Sequence, residues 1–122
     1  MRKQTLALLT CAALTLPISS LADEVEHYEG KESATLKEAV ANFSEYNEKL
    51  ENILSGELDA EAMNEIHQLT YTLENALGKI NEEFDGLAVT LEEIHLGSER
   101  ADAEGVASNG KSYLETSRTV IE

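Results

Sequence analysis

Between Met63 and Ile94 the chain repeats one spacing without a break. Met63, Ile66, Thr70, Leu73, Leu77, Ile80, Phe84, Leu87, Leu91 and Ile94 follow one another at alternating intervals of three and four residues. Only Thr70 is not apolar. An α-helix turns once in about 3.6 residues, so this spacing gathers the side chains into a stripe along one face, whereas a strand would need alternation at every second residue. A stripe sustained over more than four heptads is the seam of a helical bundle or coiled coil. Such a chain has little choice but to fold as packed helices.

The flanks carry the same pattern in shorter form. Leu36, Ala39, Phe43, Tyr46, Leu50 and Ile53 keep the three–four spacing, and Thr35 with Glu38 forms a capping box ahead of them. That helix should stop at Leu54-Ser55-Gly56, where glycine suits a left-handed C-terminal residue. Asp59 can cap the central helix, with Glu61 favourable in its first turn. Gly97 and Ser98 should end it. Asp102 can cap a last helix running through Ile121, with Val106, Gly110, Tyr113, Ser117 and Val120 in phase. Gly105, Gly110 and the Ser108-Asn109 pair make this the weakest helix by propensity.

The expected fold is an all-α antiparallel helical bundle in one of two forms. If 59–98 is one helix it is about 60 Å long, the outer helices each cover half of it, and its exposed seam favours an antiparallel homodimer. If the chain turns near Gly78 and Asn81, the result is an up-down-up-down four-helix bundle. The unbroken phase across Leu77, Ile80, Phe84 and Leu87 favours the long helix, because a loop usually resets phase.

Ahead of the helices, residues 1–22 read as a secretion signal. Arg2 and Lys3 are the basic end, residues 6–18 the apolar stretch, and Ser20-Leu21-Ala22 the cleavage site. The apolar stretch spans about 20 Å as a helix, too short for a bilayer core of about 30 Å. No membrane span is expected elsewhere. Cleavage near Ala22 would leave a periplasmic or secreted protein with an acidic extended arm, 23–32, and one helical domain, 33–122. It would also remove Cys11, the single cysteine, so that no disulfide or thiolate site could form. Loss of Arg2 and Lys3 takes the net charge from −15 to −17. A surface so acidic repels phosphate backbones and argues against nucleic acid as a partner.

The sequence holds no His-Glu-x-x-His, phosphate-binding loop, dinucleotide fingerprint or serine elbow. Enzymatic activity is therefore not expected, and binding or assembly is. The histidines are the most informative polar residues. His67 and His95 occupy the same heptad position, four heptads apart, with residue 81 midway between them. A turn at 81 would bring them together in one chain, and an antiparallel dimer centred there would bring His67 of one chain to His95 of the other. Met63 lies one turn from His67, and Glu99 one turn from His95. Two imidazoles with a carboxylate or thioether form a ligand set for zinc or copper. The competing reading of the chain is thus a metal-binding protein using His67, His95, Met63 and Glu99; the blander one is that both histidines are rim residues bonded to acids. His27, among Asp23, Glu24, Glu26 and Glu29, reads as part of a solvated arm. A weak calcium-loop pattern covers 81–92, but it begins with Asn81 and has Ala88 where a large apolar residue is expected.

Residues 65–77, Glu-Ile-His-Gln-Leu-Thr-Tyr-Thr-Leu-Glu-Asn-Ala-Leu, resemble the signature of an uncharacterised family of small exported helical proteins of Gram-negative bacteria. Residues 91–96 and 43–47 are similar to that family too. The resemblance implies an exported helical protein and brings no activity with it. In layout alone the chain is similar to periplasmic b-type four-helix cytochromes. Those hold haem between a methionine early in the first helix and a histidine in the last. This chain has neither residue in those places, so haem by that pattern is not expected.

Overall fold

The computed structural model of the protein describes residues 28–121. The expected signal, Cys11 and the acidic arm as far as His27 lie outside the described residues. Within them the chain forms three helices, α1 (Leu36–Leu54), α2 (Ala60–Glu99) and α3 (Ala103–Val120), and no strand. α2 has 40 residues and is about 60 Å long. Gly78 and Asn81 are both helical, so the turn of the four-helix alternative is not formed. The calcium-loop pattern over 81–92 falls for the same reason, since a continuous helix cannot wrap a cation.

The helix starts follow from their caps. The Glu38 amide donates to Thr35 Oγ1 at 3.2 Å, and Glu38 Oε2 accepts from the Thr35 and Ala34 amides at 3.0 Å each. Asp59 accepts from the Ala62 amide at 2.9 Å, and Asp102 from the Gly105 amide at 3.0 Å.

The first helix stops where expected, at Leu54, but the helices are not closed in the expected way. α1 closes on Ser55 in the right-handed region, with the Ser55 amide on Glu51 O and the Gly56 amide on Ile53 O. Those bonds satisfy the terminal carbonyls, so Gly56 takes no left-handed turn. α2 runs past Gly97 and Ser98 to Glu99, and the left-handed residue there is Ala101, at φ 57. The Asp102 amide reaches Gly97 O at 2.9 Å and the Ala101 amide reaches Ser98 O at 3.2 Å. This is a Schellman motif with alanine in the place that normally favours glycine. Gly97 serves packing instead: a Cβ there would lie 3.1 Å from Val106 Cγ2, where α3 turns back.

α1 packs antiparallel on the first half of α2 and α3 antiparallel on the second half, while α1 and α3 touch one another far less. With 19 and 18 residues, the two span about 28 and 27 Å. Laid in line, they match the length of α2. Ala39 and Ala76 are fully buried, and their small side chains let α1 approach α2 closely. Leu69 and Leu87 supply the larger apolar burial. Where α1 begins and α3 ends, α2 presents Lys79, bonded to Glu83 Oε1 at 2.8 Å and Glu82 Oε2 at 3.2 Å. Hydrogen bonds to Glu83 and then Glu82 hold the Lys79 ammonium above its ordinary pKa.

Residues 28–33 form no helix or strand, and they do not hang free. Gly30 sits at φ 71 against α2, and a Cβ on it would lie 2.8 Å from the Thr72 nitrogen and the Tyr71 carbonyl carbon. The Lys31 amide donates to Thr72 Oγ1 at 2.9 Å. Asn75 Nδ2 donates to Glu29 O and Lys31 O at 3.2 and 3.3 Å. From the other side, buried Asn42 donates to Ser33 Oγ at 2.9 Å and Glu32 O at 3.3 Å. The arm is a strap sewn between α1 and α2.

Candidate functional site

α1, α3 and the strap all lie to one side of α2 and divide its apolar stripe lengthwise. The row Ile66, Leu73, Ile80, Leu87 and Ile94 is partly or wholly covered. The other row recurs every seven residues: Met63, Thr70, Leu77, Phe84 and Leu91. Its apolar members keep 55%, 45%, 36% and 49% of their surface exposed in that order. Scattered exposed apolar residues are ordinary, but a continuous line of them along a helix marks an interaction surface.

The adjacent row, four residues on, is also uncovered: His67, Glu74, Asn81, Ala88 and His95 are all exposed. These two rows hold ten residues and one carboxylate, in a protein with 24 acidic residues and a net charge of −15. The face is therefore half apolar and carries few charges on an otherwise anionic surface. A hollow of about 490 Å³ opens on it between Ala88, Leu91, Glu92, Ile94 and His95.

Both candidate metal-binding histidines stand on this face. His67 packs edge-on against Tyr71, with ring centroids 5.3 Å apart. His95 Nε2 lies 3.4 Å from Glu99 Oε1, one turn along. Met63 precedes His67 by one turn and shares its end of the helix. Within one chain the structure keeps the two pairs apart, because 28 residues of continuous helix separate His67 from His95 by about 42 Å. The intrachain pairing that a turn at 81 would have produced does not occur. Among the described residues no three acidic, histidine or cysteine side chains of one chain form a metal-binding group.

One concave feature has no counterpart in the sequence reading. A cleft of about 390 Å³ lies between α1, α2 and the strap, walled by Tyr28, Tyr46, Ile53 and Leu69 and edged by Lys49 and Gln68. Its cation is already engaged. Lys49 Nζ sits 2.7 Å from Glu45 Oε1 and 4.0 Å from the centroid of the Tyr46 ring. The Glu45 hydrogen bond raises the Lys49 pKa, and the same bond lowers that of Glu45. Tyr28 closes the cleft because the strap holds it beside Tyr71, at 6.4 Å between centroids. The strap supplies the Tyr28 wall of this cleft, and the α2 residues that dock it are far away in sequence, so no local pattern announces that wall.

These features define a class: a small all-helical protein in which one long helix is the platform for two short ones, with a face of the platform left bare. No helix among the described residues is long and apolar enough to cross a membrane. The chain belongs to DUF6746, a family of unknown function, whose model matches residues 1–122. That match takes in the whole chain and brings no activity with it. No curated protein and no solved structure matches the chain.

Proposed function

We propose that this is an exported, non-enzymatic protein that works by assembly, pairing with a second copy of itself through the bare face of α2. The observation that carries the reading is the uncovered heptad row beside a row almost free of charge. From Met63 to His95 the face is about 48 Å long and about 10 Å wide. Pairing two copies removes on the order of 1,000 Å² from water, about the minimum for a specific interface.

Charge placement favours an antiparallel partner. On the flank of the face, Asn64, Tyr71 and Gly78 occupy the first half and Asp85, Glu92 and Glu99 the second. A parallel pair would set each acid against its own copy, and Glu74 against Glu74. An antiparallel pair centred near residue 81 sets Glu99 near Asn64, Glu92 near Tyr71, Asp85 near Gly78 and Glu74 opposite Ala88. Like charges facing one another across a seam are unfavourable, so the pattern selects orientation as well as partner. Asn81 then meets Asn81 at the centre, where an amide can both donate and accept.

Sedimentation equilibrium of the purified protein tests the reading. A dimer is expected, and Phe84→Asp should weaken it at least 100-fold, because each chain contributes one Phe84 and two carboxylates enter an apolar seam. A monomer at about 100 μM, far above the roughly 1 μM of an ordinary specific complex, would reject self-assembly. Export is tested separately by N-terminal sequencing of the secreted fraction, which should begin at Asp23.

A further inference from the structure

We infer that the paired α2 helices form two identical zinc-type sites, each with His67 of one protomer and the partner's His95 and Glu99 as ligands. The inference rests on the antiparallel dimer proposed above. It answers a question the single chain leaves open: two half-sites stand about 42 Å apart on one rigid helix, each too small to hold an ion.

The register argument comes from the helix itself. α2 runs from Ala60 to Glu99. An antiparallel two-fold through residue 81 leaves it paired over 63–99, all but its first three residues. In this near-maximal overlap Leu77 is within one residue of level with the partner's Phe84, and Thr70 with the partner's Leu91. The same register sets His67 level with the partner's His95, and Met63 level with the partner's Glu99. His95 and Glu99 are already drawn together, at 3.4 Å, so one half-site has its carboxylate beside its imidazole before any ion arrives. Apolar packing and charge avoidance are compatible with this register, and helix overlap together with donor placement selects it.

The chemistry suits a borderline divalent cation. Two imidazole nitrogens and one carboxylate oxygen are a three-ligand set for zinc, with a fourth position left for water or the Met63 thioether. The histidines lie at the exposed edge of the seam, so an ion can reach them after the helices have paired. Two sites, one toward each end of the overlap, would pin the register at both ends.

Zinc titration of the purified protein, read by sedimentation and by bound zinc per chain, tests this. The expected result is one zinc per chain and at least a tenfold tightening of the dimer. His67→Ala and His95→Ala should each abolish the response. An equimolar mixture of the two variants should regain part of it, since a mixed dimer rebuilds one complete site from the unmutated His67 of one chain and His95 of the other. A dimer that zinc leaves unmoved overturns the sites and leaves the seam standing. A chain that is monomeric with and without zinc overturns both. Failure of the mixture to recover any response, or zinc-driven growth beyond dimers, overturns the shared site in favour of separate surface histidines.

Discussion

The two halves of α2 are covered by helices of nearly equal length, yet they are held in different ways. The first half is fastened by polar bonds through the strap: Lys31 to Thr72 and Asn75 to Glu29 and Lys31 across long separations, and Asn42 to Glu32 and Ser33 locally. Thr72 and Asn42 are buried while making them. Among the described residues the second half shows no such bond between α2 and α3, and α3 has no fully buried residue. There the contact is close approach at Gly97 and apolar packing around Leu87. Buried polar bonds are specific in geometry and costly to leave unmade, whereas loose apolar contact tolerates movement. The first half should therefore be the stable unit and α3 the one that opens first. Amide hydrogen exchange checks this directly, with α1 and residues 66–78 expected to outlast α3.

The comparison can be broken most forcefully at Gly30. An alanine there combines a left-handed backbone with a Cβ 2.8 Å from backbone atoms of α2, so destabilisation of about 3 kcal/mol is expected from urea unfolding. The loss should fall on the strap and α1, and equal loss of protection in α3 would show that the halves are one unit. Thr72→Val comes next, at about 1–2 kcal/mol, because it keeps the shape of a fully buried residue but leaves the Lys31 amide without its acceptor. On the other side, Ala101→Gly should raise the melting temperature slightly. It relieves about 1 kcal/mol of left-handed strain at the α2–α3 turn and gives part of that back as unfolded-state entropy.

The smallest effect lies at Glu45, which bonds Lys49 and lies 3.8 Å from Lys31 of the strap. The Lys49 hydrogen bond lowers the Glu45 pKa from its ordinary 4.5. Its contribution is thus complete above that value and disappears as the pH falls through the lowered one. Glu45→Gln should cost a little stability at neutral pH and nothing in strong acid, as read from melting temperatures at both. A difference that persists in acid would assign the effect to packing.

Much of this architecture is legible in the sequence. The unbroken phase of Leu77, Ile80, Phe84 and Leu87 gives one long helix, and Thr35, Asp59 and Asp102 mark the helix starts, because caps and periodicity are local effects. The helix ends are less legible. Gly56 and Gly97 look like terminators, yet one needs no left-handed turn and the other makes room for Val106, while Ala101 takes the strained conformation. The strap is illegible for a stronger reason. Nothing in residues 28–33 shows that Thr72 and Asn75 will receive them, and polar bonds across such distances leave no periodic trace. The histidine face was visible as spacing, but which of its neighbours stay uncovered depends on where α1 and α3 settle.

The strap's bonds also set an order of events. They join residues 41, 44 and 46 positions apart in the chain. A chain made from its N-terminus presents Glu29 and Lys31 well before Asn75 exists, so the strap is made early and meets α2 late. Until then α1 has its capping box and the local Asn42 bonds to Glu32 and Ser33, but not its platform. The strap's bonds to α2 must therefore wait for the middle of the sequence to arrive, and they carry the entropic cost of closing a long loop.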